Sequence, residues 1–141
     1  MKTILLAEDD LGAVQVFQRI MVSVSETSNG RLELVVVHRL DDAKKVIAER
    51  EIDIFLFDLT LNDSSQANSI RVIEEEHTKL PLIVVTTGEE LLSVRNRCLA
   101  GGAKGYALKK HIFHSPNFFL AELYNIYLLN KEGKFSNVTS T

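Results

Sequence analysis

A single cysteine, Cys98, stands in a chain of 141 residues, which excludes an internal disulfide and any cysteine-based zinc cage. It falls at helical spacing among apolar residues and reads as a small core side chain. An excess of basic charge is also missing. Lys plus Arg number 16 against 19 Asp plus Glu, net −3, so the electrostatic footprint of a nucleic-acid binder is absent. No apolar run approaches the ~20 residues of a membrane span. The opening MKTILLAEDD meets three acids after a handful of apolar positions, which is no signal peptide. Asn137-Val138-Thr139 spells a glycosylation acceptor, and without a secretory signal it reads as coincidence. A Gly-rich phosphate loop after the first apolar run is lacking, because the sequence there is EDDLGAV. His38, His77, His111 and His114 show no ligand spacing. What remains is an ordinary globular composition, 45% hydrophobic and 25% charged, in a length that suits one core. The expectation is a cytoplasmic, single-domain protein.

Two periods alternate along the chain. Lys2–Ala7 is a short apolar run and predicts a strand. Ala13, Val16, Phe17, Ile20, Met21 and Val24 recur at spacings of three and four, which predicts an amphipathic helix. Asn29-Gly30 signals a turn before the β-branched strand Leu32–Val37. Asp41 is a candidate N-cap for a second helix with Ala43, Val46 and Ile47 on its inner face. Ile52–Phe57 predicts the third strand, and the polar run NDSSQ leads to a third helix over 67–76. Leu80-Pro81 breaks the chain before the strand Leu82–Thr86. A fourth helix is expected over 89–100 with Leu91, Val94 and Cys98 inward, stopped by Gly101-Gly102. Gly105–Leu108 makes a fifth strand and residues 118–130 a fifth helix. Five βα units in succession imply a five-stranded parallel sheet covered on both faces, a three-layer α/β/α sandwich of doubly wound (βα)5 type. One domain is expected over residues 1–130, followed by a polar, loose tail over 131–141.

Parallel strands send their carboxyl ends to one rim. The first strand ends at Glu8, Asp9 and Asp10, the third at Asp58, the fourth at Thr86-Thr87, and the fifth before Lys109-Lys110. An isolated acid in such a place is most often a cap or turn residue. Carboxylates from two strand ends repel each other unless a cation sits between them. Oxygen-only ligation suits a hard cation such as Mg2+, which takes one or two carboxylates, waters and a phosphate oxygen.

Four segments carry a resemblance. ILLAEDD, IFLFDLTLND, LIVVTTGE and GGAKGYALKK resemble the signature segments of the response-regulator receiver domain, in order and spacing, over about residues 1–130. The resemblance implies a flavodoxin-like fold and a chemistry. Asp58 would accept a phosphoryl group from a histidine kinase or a histidine phosphotransfer protein. Glu8 and Asp9 would hold Mg2+ together with Asp58 and the backbone carbonyl of Thr60, with Asp10 outside the ligand set. Thr86 matches the switch hydroxyl, Tyr106 the switch aromatic and Lys109 the lysine that pairs with the phosphoryl oxygens. The response implied is a change in the surface made by the fourth helix, fifth strand and fifth helix. Such a domain is a phosphoacceptor with at most slow self-dephosphorylation rather than an enzyme. As no output domain follows in the sequence, a stand-alone switch acting on an output protein is expected. The chain departs from the family at three places. Asn62 and Gln66 replace the usual Pro and Gly after the phosphoacceptor, and Lys110 replaces the Pro after the lysine.

Two other functions compete. A phosphorylation-independent adaptor on the same fold would neither bind Mg2+ nor take up phosphate. An aspartyl-phosphate phosphatase resembles D-x-D-x-T, but Thr60 stands where the second acid belongs. Glu74-Glu75-Glu76 reads as a solvated helix end. The fifth helix, FFLAELYNIYLL, is apolar almost all round. Some of Phe118, Phe119, Tyr124, Ile126, Tyr127 and Leu128 should therefore stay exposed and serve a partner or a second copy of the chain. Neither nucleic acid nor membrane is expected as a partner.

Overall fold

The structure is a computed structural model that describes residues 2–27, 32–80 and 82–131. Its elements run β1 (Lys2–Ala7), α1 (Leu11–Thr27), β2 (Leu32–Val37), α2 (Leu40–Glu49), β3 (Ile54–Phe57), α3 (Gln66–Glu76), β4 (Ile83–Thr87), α4 (Leu92–Gly101), β5 (Gly105–Leu108), α5 (Lys109–His114) and α6 (Pro116–Lys131). All five strands pair in parallel, in the order β2-β1-β3-β4-β5. The order reverses after β1, as in flavodoxin-like doubly wound sheets.

Side-chain alternation along the strands builds two cores. Leu5, Ala7, Phe55, Phe57 and Val85 point to one face and pack with Ala43 of α2, Ile70 and Ile73 of α3, and Val94 and Cys98 of α4. Ile4, Leu6, Ile54, Leu56 and Val84 point to the other, against Phe17, Ile20 and Met21 of α1, Ile112 of α5, and Phe119 and Leu123 of α6. The strands are apolar on both sides because each face carries a helical layer. Cys98 is buried and free, the core role expected of it.

Four local features differ from the sequence reading. Helix α5 over Lys109–His114 was not anticipated; it forms because Ile112, 1% exposed, anchors one turn to the second core. The apolar C-terminal helix opens at Pro116, where the missing N–H costs nothing, since a first-turn N–H has no intrahelical partner. Asp41 does not cap α2 but lies in its first turn; the cap is supplied from 22 and 23 residues away by Asp63, as described below. Helix α4 starts at Leu92 rather than Glu89, which leaves Leu91 61% exposed outside the helix.

The departures from the family pattern are accommodated without strain. Gln66 opens α3 in helical conformation, behind Ser65, whose hydroxyl accepts from the Asn68 N–H at 3.1 Å. No left-handed residue is needed there. The bond between Lys109 and Lys110 is trans, like every other described peptide bond. Gly102 does stop α4, with φ 123°. A Cβ there would lie 2.4 Å from the His77 ring, so the position needs glycine twice over. The Asn29-Gly30 turn, Pro81, residues 132–141 of the expected tail and the sequon lie outside the described residues.

Candidate functional site

Strand register assembles the rim. Ala7 pairs with Val37 on one side and Phe57 on the other, so Glu8 and Asp58 leave neighbouring strand ends side by side. The Glu8 N–H continues the ladder to the Val37 carbonyl at 3.0 Å, and the Asp58 N–H to the Ala7 carbonyl at 3.2 Å. Phe57 pairs with Val85, which brings Thr86 alongside Asp58. Leu108 pairs with Thr87, and Lys109 follows at once. The residues that the sequence places far apart thus meet at the carboxyl edge of β1, β3, β4 and β5.

The acids are buried there. Glu8 is 0% and Asp58 1% exposed, with Asp9 half-buried beside them. The Lys109 ammonium bridges the two, with Nζ 2.8 Å from Glu8 Oε1 and 3.0 Å from Asp58 Oδ2. Asp58 Oδ1 accepts from the Thr60 N–H at 3.1 Å and the Thr60 hydroxyl at 3.2 Å. Glu8 Oε2 accepts from the Asp10 N–H at 3.2 Å, and Asp9 Oδ2 from the Asn62 N–H at 3.0 Å. Both carboxylates of the strand ends are therefore oriented by donors on their own loops.

The electrostatics are unbalanced. Burial, with the nearby Asp58 charge adding to it, pushes the Glu8 carboxyl from an ordinary 4.5 up to about 7, although Lys109 pulls the other way. Burial also opposes the Lys109 charge, but the hydrogen bonds and charges of Glu8 and Asp58 outweigh it and hold the ammonium above its ordinary value. One ammonium does not neutralise three acids. Glu8, Asp9 and Asp58 can each offer an oxygen within 4.8 Å of the others. That all-oxygen donor set fits a hard divalent cation, and the raised Glu8 is the strain such a cation would relieve.

The remaining predicted positions fall around this centre. Thr86 is fully buried, and its hydroxyl has no hydrogen-bond partner among the described residues, which is costly for a polar group in a core. Tyr106 is half-buried; its hydroxyl donates to the Glu89 carbonyl at 2.7 Å, and burial, with Cys98 and Glu89 adding, pushes it up to about 12. Lys110 points away and pairs with Glu90, so the two lysines divide into an inner and an outer one. Asp10 is exposed and accepts from the Gly12 N–H at 3.3 Å, outside the carboxylate cluster.

Sequence reasoning missed Asp63 and Glu89. The Asp63 carboxylate accepts from the Leu40 N–H at 2.8 Å and the Asp41 N–H at 3.1 Å, and lies 3.7 Å from Arg39. Burial works against its charge, but those N–H groups and Arg39 hold it below the ordinary carboxylate range. Glu89 links the β4–α4 loop to Gln66 at 3.3 Å and to its own loop at Leu91 at 3.0 Å. No sequence signal pointed to either, since both act on partners far away in the chain or through loop geometry.

The apolar C-terminal helix leaves part of its surface uncovered, as its sequence suggests. Phe118 and Tyr124 of α6 are 67% and 59% exposed, while Phe119 is buried and Ile126 and Tyr127 pack at the core edge. A cleft of about 450 Å³ lies between α4, β5, α5 and α6, with Leu92, Tyr106, Ile112 and Phe118 in its wall. No helix among the described residues is long and apolar enough to cross a membrane.

A five-stranded parallel sheet with acids and a lysine at its carboxyl edge is the architecture of a receiver-type α/β domain. No family model matches the sequence, and no curated protein does. Solved structures do. A CheY-like response regulator receiver domain protein from Methanospirillum hungatei JF-1 superposes with a TM-score of 0.77 at 19% identity, over 94% of this chain and 98% of that one. A two-component response regulator from Clostridium difficile gives 0.75 at 14% identity, over 89% and 95%. The BeF3-activated N-terminal receiver domain of Klebsiella pneumoniae RstA gives 0.68 at 23% identity, over 89% and 98%. The chain therefore has the fold of the response-regulator receiver domains.

Proposed function

We propose that the protein is a two-component signalling receiver that accepts a phosphoryl group on Asp58. The observation that carries this reading is the Lys109 ammonium held between Glu8 and Asp58, at 2.8 and 3.0 Å, on the rim of a receiver fold. A carboxylate attacking phosphorus must approach a group that is already anionic, so fixed positive charge at the site lowers the barrier. Asp58 forms the new O–P bond as the N–P bond to a donor histidine breaks and the imidazole leaves. Lys109 turns from the carboxylates to the phosphoryl oxygens. Thr60 holds the other Asp58 oxygen and so fixes the direction of attack. Glu8, Asp9, Asp58 and the Thr60 carbonyl would hold Mg2+, which when bound supplies charge neutralisation for both the acids and the incoming group. The chain is a phosphoacceptor, not a turnover enzyme.

The product carries nearly two added negative charges and strong acceptor oxygens. Thr86 offers an unpartnered buried hydroxyl one strand away. Donation from it to a phosphoryl oxygen would relieve a buried unsatisfied group and draw the β4 end inward. Tyr106, bonded to the adjacent β4–α4 loop through Glu89, would then repack and alter the cleft between α4, β5 and α6. That face is the surface for an output protein or for a second copy of the chain. The donor is a histidine kinase or a histidine phosphotransfer protein, and the setting is the cytoplasm.

The test is intact-protein mass after incubation with acetyl phosphate, with and without Mg2+, for the wild type and Asp58→Asn. One added phosphoryl group that requires Mg2+ and Asp58 is expected. No adduct in the wild type would refute the reading and leave an adaptor that works through a fixed surface.

A further inference from the structure

The proposed function needs three carboxylates held in one geometry, and two of them have obvious supports. Glu8 and Asp58 are buried and clamped by Lys109, with Thr60 and Asp10 adding hydrogen bonds. Asp9 is different. It is half-buried, and its carboxylate is held by a backbone N–H of the β3–α3 loop, that of Asn62 at 3.0 Å. Asn62 itself is exposed, and an exposed turn would by itself give a poor mount for an ion ligand.

The next residue supplies the rigidity. Asp63 spreads its two carboxylate oxygens over two N–H groups of α2, Oδ1 to Leu40 at 2.8 Å and Oδ2 to Asp41 at 3.1 Å. Those N–H groups belong to a first helical turn, where no intrahelical acceptor exists for them. Arg39, at the N-cap position, makes no side-chain cap. Helix α2 thus depends on Asp63 for its cap, and a negative charge there also suits the helix dipole. On the other side of Asn62, Leu61 is 2% exposed in the core. Asn62 is therefore pinned from both neighbours with its N–H aimed at Asp9.

We propose that Asp63 and Asn62 form a positioning relay in which the capped α2 terminus fixes the Asn62 N–H, and the Asn62 N–H fixes the Asp9 carboxylate for a divalent cation. The relay rests on the reading of Glu8, Asp9 and Asp58 as a cation site. It gives the departure at position 62 a purpose, because a proline there has no N–H to donate. Neither residue touches the reacting atoms; both act through Asp9. Partners that orient a ligand from behind typically change metal affinity about 10–100-fold when removed.

The experiment is calorimetric titration of Mg2+ into the full chain, with folding checked by circular dichroism. Asn62→Pro removes the donor and should weaken Mg2+ binding about tenfold, at the lower end of that range. Asp63→Ala acts one step further back and should weaken it by less than the roughly tenfold expected for the direct removal. The double variant should be no weaker than Asn62→Pro alone, because both changes act on one hydrogen bond. Ala48→Gly, on the exposed side of α2, loosens the same helix without touching the relay and should keep the wild-type affinity. Wild-type affinity in both Asn62→Pro and Asp63→Ala would overturn the relay alone. So would an additive double variant, or an equal loss in Ala48→Gly. A wild-type protein that binds no Mg2+ would overturn the proposed function and the relay with it.

Discussion

Glu8 should make stability fall as pH rises when no divalent cation is present, the reverse of the usual behaviour of a carboxylate. Its side chain is 0% exposed, beside Asp58, and its carboxyl is pushed from 4.5 up to about 7. Between those two values the folded protein holds a proton that the unfolded chain has released. Stability then decreases with pH, because the state binding more protons is the native one. The contribution is fully present below pH 4.5 and is lost as pH rises through about 7. At ~1.4 kcal/mol per pH unit, the span amounts to about 3 kcal/mol, a large share of a typical folding free energy. Asp63, whose carboxyl is held low, titrates below this window, and Lys109, held high, above it. Urea unfolding followed by circular dichroism at pH 5, 6, 7 and 8 in EDTA should show the loss. Saturating Mg2+ should abolish most of it, since a cation bound to the folded state stabilises ionised Glu8. Glu8→Gln should flatten the profile in EDTA and raise stability at pH 8 by about 2 kcal/mol, by removing an unfavourable buried charge. A wild-type profile in EDTA that is flat or rises from pH 5 to 8 would refute the reasoning.

Other perturbations test the remaining contacts. Lys109→Met leaves Glu8 and Asp58 buried without their cation; it should cost about 3 kcal/mol in EDTA at pH 8 by urea unfolding and slow phosphoryl uptake in the mass assay. The cost should shrink at pH 5, where Glu8 takes a proton. Thr86→Val replaces an unpartnered buried hydroxyl by a methyl group, so thermal unfolding should show no loss of stability and up to ~1 kcal/mol of gain. Uptake on Asp58 should persist in that variant, while the phosphorylation-dependent change in tyrosine fluorescence expected of the wild type should be lost. Gly102→Ala meets both a φ of 123° and the His77 ring at 2.4 Å, and should cost about 2 kcal/mol or more in thermal unfolding. His77→Ala should recover only part of that loss, because the backbone conformation stays unfavourable.

Periodicity and composition determined most of the architecture of this chain. Short runs such as ILLA and IFLF are apolar at every position, as strands covered on both faces are, and helical spacing between them leaves a doubly wound sheet as the arrangement. Once the strands are parallel, their carboxyl ends must share a rim, so Glu8, Asp9, Asp58, Thr86 and Lys109 could be brought together on paper. Tertiary structure decided what the one-dimensional pattern does not encode. Helix α5 is one short turn whose Ile112 packs into the second core, a tertiary contact that the periodicity of six residues does not reveal. Lys109 and Lys110 are the same residue to any pattern, and only the turn into α5 sends one to the acids and the other to Glu90. Asp41 looked like the cap of α2 because capping signals are read locally, whereas the N–H groups there donate to any well-placed oxygen, and Asp63 arrives from the next βα loop. The charge of Glu8 shows the same division. Its identity is fixed by sequence, but its readiness to hold a proton near neutrality comes from burial beside Asp58, and burial belongs to the fold alone.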